Sequence, residues 1–440
     1  MRKIIAILLT TIILLIPLSS TAMNIPGYEG GIQNENTYKE VIFVTGKPIV
    51  MEGTLTIKTK EKDNTITETY NYRLENIKEN AKLTRTIKMT AKLTPRGDQI
   101  TSTRTIDSFR ETIDVAGRRY QSRNEDYQWN QSTVTHQKPL MDYYAGDVSA
   151  RKVYTVDRDG SERITVEVKG KMVGYDSPWS STETQTIEYV IEGEDRINPE
   201  RRWQGTATVE TSYNRTKDYS YEENIPRQSS FQGGHNITEN QENVLKYTYD
   251  LPRVTNNTIN KGRNIGKDSF SINRVPVPER LTIPSAKDIR GHRWEEELLL
   301  LAGMDALPLS SSYLGPDTPM SRGDFARAII KSMDIPIEKE EETRTRRKKK
   351  EKPALPLFKD VNRNHRNFDY IEEVAKRDIM VGIDKDNFEP DKSLTRVEAY
   401  STIIRLLGLE NKAPINKKYT TGYKDDKNIP AWAKDYIYVA

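Results

Sequence analysis

Residues 358–409 read FKDVNRNHRNFDYIEEVAKRDIMVGIDKDNFEPDKSLTRVEAYSTIIRLLGL and predict a pair of helices. Within them, residues 395–398 (TRVE) have the spacing of a capping box, in which the first and fourth residues bond each other's backbone N–H groups. Apolar residues recur behind this start with the period of a helix: Ala399, Ile403, Leu406 and Leu407. A second stripe of the same period precedes it: Ile371, Val374, Ala375 and Ile379. The stretch is therefore predicted to be two helices joined by the polar loop 383–393.

Parts of this helical unit recur upstream. Residues 314–322 (LGPDTPMSR) align without a gap with residues 388–396 (FEPDKSLTR). Ser321 then stands where an N-cap is expected, so the same second helix is predicted to follow. Fixed-period similarity of this kind indicates a repeat architecture.

A further copy begins downstream, because YKDD at 423–426 matches FKDV at 358–361. It breaks off at Ala440 before a second helix, so the chain is expected to be a piece of a longer protein. The predicted copies and the charged segment between the first two have these limits: 286–337, 338–357 (the insertion), 358–410 and 411–440.

The F-x-D-V opening, the helix start with Trp and the T-R-x-E segment resemble S-layer homology repeats. The resemblance implies that three repeats form one helical unit, whose grooves bind secondary cell-wall polysaccharide, with a pyruvylated sugar as a candidate group. It assigns binding to the motif arginines, the opening aspartates and the helix-start tryptophans: Arg322, Arg396, Asp288, Asp360, Asp425, Trp294 and Trp432. Arginine matches a carboxylate with a planar fork of donors. The alternatives are that the aspartates cap helices and the tryptophans are core residues.

The copies depart from the family pattern in two places. Arg366 stands where the family has Trp, which predicts an altered or idle groove in the second copy. Gly323-Asp324 replaces the usual Ala-Glu in the first copy, and Gly within a helix costs about 1 kcal/mol relative to Ala. The first copy is therefore expected to be less stable.

The N-terminus predicts export. Residues 1–22 combine Arg2-Lys3, an apolar run and a small-x-small site before Met23, which is the pattern of a cleaved signal peptide. No membrane insertion is expected after cleavage. The absence of cysteine excludes disulfides and a lipidated cysteine.

Composition argues against one large core and against nucleic acid as a partner. Only 35% of residues are hydrophobic and mean hydropathy is −0.76, whereas an ordinary globular chain is roughly 45–50% apolar when glycine is counted. The 68 basic and 64 acidic residues leave a formal charge of only +4, which is too mixed for a nucleic-acid surface. A multidomain protein of two to four domains is expected from the length.

The region before the repeats predicts an all-β, antiparallel, sandwich-like fold, because short Thr-, Val- and Ile-rich segments alternate with turn residues. Asp159-Gly160 is a strong hairpin signal. The expected parts are a first β part at 23–145, a second part or second domain at 146–251, and a linker at 252–285.

The β region carries no recognisable catalytic motif. Its histidines, His136 and His235, stand in unrelated contexts, so no catalytic residue, metal or cofactor is assigned. The chain is therefore predicted to be a secreted, non-enzymatic protein of the cell wall or S-layer. Two alternatives stay open: a wall-associated hydrolase, which needs carboxylates meeting in a cleft, and an adhesin or S-layer assembly subunit, which needs a long sheet edge or an exposed apolar patch.

Overall fold

A computed structural model describes residues 30–157, 160, 162–222, 234–255, 258–276, 278–282, 285–309, 312–335, 337, 356–416 and 419–440. The predicted signal peptide 1–22 and most of the predicted insertion 338–357 lie outside these residues. A large antiparallel sheet comes first along the chain, and a helical part follows from residue 285.

Fifteen strands form one antiparallel sheet in the described part of the chain. Their order in the sheet follows the chain, except that β8 pairs with β6 and β9, and β15 with β13. The strands are β1 (Ile32–Gln33), β2 (Tyr38–Ile42), β3 (Ile49–Lys62), β4 (Thr65–Asn76), β5 (Ala81–Arg96), β6 (Gln99–Val115), β7 (Arg118–Arg123), β8 (Tyr127–Gln137), β9 (Asp142–Val156), β10 (Glu162–Asp176), β11 (Ser180–Asp195), β12 (Trp203–Glu222), β13 (Gly234–Thr255), β14 (Thr258–Ser271) and β15 (Pro278–Arg280).

One face of the sheet is buried because side chains alternate along each strand. In β5, Leu83, Ile87 and Met89 are buried on the inner face together with Arg85, while Thr84, Thr86 and Lys88 face solvent. The predicted all-β, antiparallel character of this region is confirmed.

The sheet folds back on itself, so that its first strand, β1, meets β13. The Asn243 side-chain amide donates to the carbonyl of Gln33 at 2.9 Å. The Phe43 ring, just after β2, lies 5.5 Å from the ring of Tyr189 and 6.4 Å from that of Tyr247. A single apolar core therefore fills the space between the two halves of the sheet.

The structure differs from the predicted division of the β region. Strand β9 runs through the expected boundary at 145/146 and pairs along its length with β8 and β10. Strands β14 and β15 occupy much of the expected linker at 252–285. Strand β14 was missed because it has one partner strand, β13, among the described residues, and a sheet edge facing water does not need an apolar alternation.

The helical part contains short helices with long irregular connections, so the predicted all-α character is only partly confirmed. Its α-helices are α1 (Glu295–Gly303), α2 (Arg322–Ser332), α3 (Phe368–Lys376), α4 (Arg396–Leu406) and α5 (Lys434–Val439). Short 3-10 turns lie at Glu410–Lys412 and Asp426–Asn428 here, and at Asn124–Asp126 and Pro199–Arg201 in the β region. Across the described ranges, no helix has the length and apolarity needed to span a membrane.

The predicted capping box is present at the start of α4. The Thr395 hydroxyl accepts from the Glu398 N–H at 3.3 Å, and the Glu398 carboxylate accepts from the Thr395 N–H at 2.9 Å. Of the stripe predicted around α3, Ile371, Val374 and Ile379 are buried and Ala375 is half-buried. In the α4 stripe, Ile403 is 41% exposed and Ile404 is buried in its place. The capping signal is local, whereas the buried face depends on what packs against the helix.

Candidate functional site

The opening aspartates of the first two copies bind backbone within their own copy. Asp288 accepts from the N–H groups of Leu314 at 3.0 Å and Gly315 at 2.7 Å. These donors lower the pKa of Asp288 because they stabilise its carboxylate. The carboxylate thus fixes the loop that starts at Leu314, and its ligand role stays a prediction.

Asp360 repeats this arrangement in the second copy. It accepts from the N–H groups of Phe388 at 2.9 Å and Glu389 at 2.6 Å. Asp425 has the same place at the opening of the third copy, where it is exposed.

Arg322 is a packing residue, which corrects its predicted ligand role. It is 3% exposed, and its guanidinium lies 4.8 Å from the centre of the Phe388 ring. It donates to the carbonyls of Phe388 and Val381, both at 2.8 Å, and to Glu398 at 2.5 Å. Its donors are thus used to hold the second copy against the first.

Arg396 has the equivalent position at the start of α4, yet it is exposed. Its guanidinium lies 5.8 Å from the centre of the Tyr400 ring and 3.5 Å from the Tyr400 hydroxyl. Hydrogen bonding and the positive charge of Arg396 lower the pKa of Tyr400, and a hydrogen bond with Tyr423 adds to this. We call Arg396, Tyr400, Tyr423 and Asp425 the junction cluster, since it joins the second copy to the third.

The two predicted tryptophans do not occupy equivalent positions. Trp294 is the N-cap residue of α1, as Asn367 is for α3 and Ala433 is for α5. Two histidines support this alignment, because each accepts at Nδ1 from the N–H two residues later: His292 at 3.2 Å and His365 at 3.1 Å. Trp294 therefore does not stand in the motif position, although its ring is 51% exposed.

The motif position directly before the N-cap holds Trp432 in the third copy, Arg366 in the second and Arg293 in the first. Trp432 is 56% exposed and offers a ring face to solvent. Arg366 donates to Asp324 of α2 at 2.7 Å, while 61% of its side chain stays exposed. From the sequence, the replacement of Trp by Arg366 predicted an altered or idle groove. In the structure, Arg366 is an exposed cation where the first two copies meet.

The β region holds close carboxylates, but they lie in its interior. Glu40 and Glu111 are both ion-paired with Arg85 and all three are buried. Within the described ranges, no group of three or more His, Asp or Glu side chains is arranged to hold a metal ion. Glu40 and Glu111 therefore do not form the open carboxylate cleft that a hydrolase needs.

Comparison with known proteins identifies the helical part. Residues 357–399, which cover α3 and the start of α4, match the S-layer homology domain family. The helical part of the chain thus contains a segment of the S-layer homology domain family.

A relative supports the same class. Over 83 residues the chain is 29% identical to the surface-layer 125 kDa protein of Lysinibacillus sphaericus, a match that covers 19% of this chain and 7% of that protein. No solved structure gives a significant match. Together the two matches indicate a cell-surface location.

Proposed function

We propose that this protein is held on the cell wall by secondary cell-wall polysaccharide, which its helical copies bind where they meet, and that it displays the β-sheet outward without catalysing a reaction. The junction cluster carries this proposal. Arg396 presents an exposed planar donor fork, which suits a sugar carboxylate such as a pyruvyl group. Tyr400 and Tyr423 add hydroxyl groups and ring faces beside it.

Trp432 supports the same reading from the third copy. A half-exposed indole on a helix start gives a sugar ring an apolar face and offers one N–H donor. At the other junction Arg366 supplies a second exposed guanidinium beside Asp324. Two junctions with exposed arginines would allow one anionic polymer to be held at two points, which increases apparent affinity.

We expect Arg396→Ala to weaken wall binding at least tenfold, because a charge-assisted hydrogen bond contributes about 1.5–3 kcal/mol. The measurement is a pull-down of residues 23–440 on walls purified from the source organism, with and without their secondary polysaccharide. Arg366→Ala tests the first junction in the same way. Arg290→Ala, an exposed arginine in the opening segment of the first copy, is the matched control and should bind as the wild type does.

Arg396 is equivalent in sequence to Arg322, which packs in the interior. The Arg396→Ala experiment must therefore distinguish a role in ligand binding from a role in packing. A ligand role predicts lost binding with unchanged thermal stability. Lost binding accompanied by a lower melting temperature would assign Arg396 to packing. Full binding by both variants, or binding that does not require the polysaccharide, would contradict the proposal.

The edge strand β14 bears on the alternative that the protein is an adhesin or an S-layer assembly subunit. Strand β14 presents an edge with no partner strand among the described residues. The edge carries the exposed charged residues Arg263, Lys267 and Asp268, and charged side chains on an edge strand oppose pairing with a second copy. The wall anchor is therefore the better supported function.

A further inference from the structure

The helical part packs against one end of the sheet, and we call this contact the joint. The turns that join β8 to β9 and β10 to β11 both lie at that end. Leu140, in the first turn, belongs to the same buried cluster as Ile329 of α2 and Ile371 of α3. Met141 beside it and Trp179, in the second turn, pack against that cluster. Side chains of the sheet thus complete the apolar core of the helical part.

Ion pairs surround this apolar centre. Lys138, in the first turn, bonds Glu410 of the helical part at 3.0 Å and Asp98 of the neighbouring turn at 3.1 Å. The Lys138 side chain is only 9% exposed, so it is held between the two parts. Lys217 of β12 lies 3.7 Å from Asp334, just after α2. Such pairs form in one relative position of the two surfaces and therefore fix their register.

The chain that connects the sheet to the helical part is attached as well. Strand β15 pairs with β13, and Leu281 after it donates its N–H to the carbonyl of His235 in β13 at 2.9 Å. The His235 ring donates from Nε2 to the backbone carbonyl of Glu296 in α1 at 3.1 Å. The connection over 278–282 therefore adds contacts between the two parts, where the sequence predicted a linker.

The helices at the joint are too short to be stable by themselves. Helix α2 has 11 residues and α3 has 9, whereas isolated helices shorter than about 12–15 residues are marginal in water. Their stability must come from packing of their apolar faces, and part of the surface that they pack against belongs to the sheet. The helical part is thus expected to depend on the sheet for its own stability.

We propose that the end of the sheet is the folding partner of the first two helical copies, so that the sheet is held in one fixed orientation instead of being displayed on a flexible linker. Successive antiparallel strands turn at alternate ends of a sheet. The turns at 77–80 and 196–202 therefore lie at the end opposite the joint, where Ile77 and Ile197 are 86% and 72% exposed. That end is the one presented away from the helical part, whichever ligand the helical part binds.

Hydrogen exchange on residues 23–440, read as protection factors in α2 and α3, tests the dependence on the sheet. We expect Leu140→Ala to lower protection in both helices at least about tenfold, because truncating a buried leucine leaves a cavity in their shared core. Trp179→Ala, from the second turn, should act in the same direction. Strand β5, whose buried residues belong to the core of the sheet, should keep its protection. Ile197→Ala, in a turn at the opposite end, is the control and should leave α2 and α3 unchanged.

Distances between spin labels test the fixed orientation. The chain contains no cysteine, so Lys169→Cys on β10 and Lys376→Cys on α3, both exposed positions, can carry the two labels. Lys82→Cys on β5 with Lys169→Cys gives the reference width for two labels within the sheet. We expect the pair that spans the joint to give a distance distribution as narrow as this reference.

The two measurements together decide the proposal. Unchanged protection of α2 and α3 in both Leu140→Ala and Trp179→Ala would overturn the dependence on the sheet. A distribution across the joint that is clearly broader than the reference would overturn the fixed orientation. If Leu140→Ala also unfolds β5, Trp179→Ala and the label distances in the otherwise wild-type chain decide the outcome.

Discussion

Replacing Arg85 by alanine lowers the free energy of unfolding of the sheet by an expected 3–5 kcal/mol, roughly the cost of leaving buried charges without their partner. Arg85 donates two hydrogen bonds of 2.8 Å to Glu40 and a further one to Glu111. Both carboxylates are buried and would lose their shared cation. The measurement is urea unfolding followed by far-ultraviolet circular dichroism.

The remaining partners do not replace Arg85. Tyr38 donates to Glu40 at 2.9 Å, and Lys152 and Tyr154 bond Glu111 at 3.2 and 2.7 Å. Lys152 is bonded to Glu111, and a single lysine charge does not balance two buried carboxylates. Arg110→Ala, on the outward face of β6 beside Glu111, should change stability by less than about 0.5 kcal/mol. A loss below about 1 kcal/mol for Arg85→Ala would mean that water reaches the network.

The same network predicts how stability depends on acid. Burial alone would raise the pKa of Glu111, but the charges of Arg85 and Lys152 outweigh it and lower the pKa from 4.5 to about 2. A lowered folded pKa contributes stability above the unfolded value, and this contribution is lost as the pH falls from about 4.5 towards 2. Arg85→Ala should therefore flatten the acid limb of the unfolding curve.

Replacing Arg322 by alanine is expected to destabilise the helical part by about 3 kcal/mol, because hydrogen bonds to charged groups contribute roughly 1.5–3 kcal/mol each when they are removed singly. The variant loses the donors to the carbonyls of Phe388 and Val381, and it leaves Glu398 without its cation. Hydrogen exchange in α2 and α3 measures the effect in the helical part alone.

The chain supplies its own control for this prediction. Arg396→Ala removes the same residue type from the equivalent position one copy later, where the side chain is exposed, and should change stability by less than about 0.5 kcal/mol. Equal losses in the two variants would show that the two positions share one structural role. A negligible loss at Arg322 would contradict its assignment as the contact that holds the first two copies together.

Local features of the chain were predictable from sequence. The capping box at Thr395 and the strand alternation of β5 need only neighbouring residues, because hydrogen-bond spacing and the period of two are properties of a short segment. The S-layer homology copy at 358–410 was recognisable for the same reason, and its family match covers 357–399. Each of these signals is complete within a few residues to a few tens of residues.

The tertiary structure determined which residues are buried and which distant residues they contact. Arg322 carries a motif that predicted ligand binding, yet it is buried against Phe388. Strand β9 joins two halves that sequence divided, and Leu140 joins the sheet to the helical part. The sequence by itself determined the elements, their caps and their repetition. Only the fold decided partners and burial, because both depend on residues far apart in the chain, and a local pattern contains no information about which distant surface it will meet.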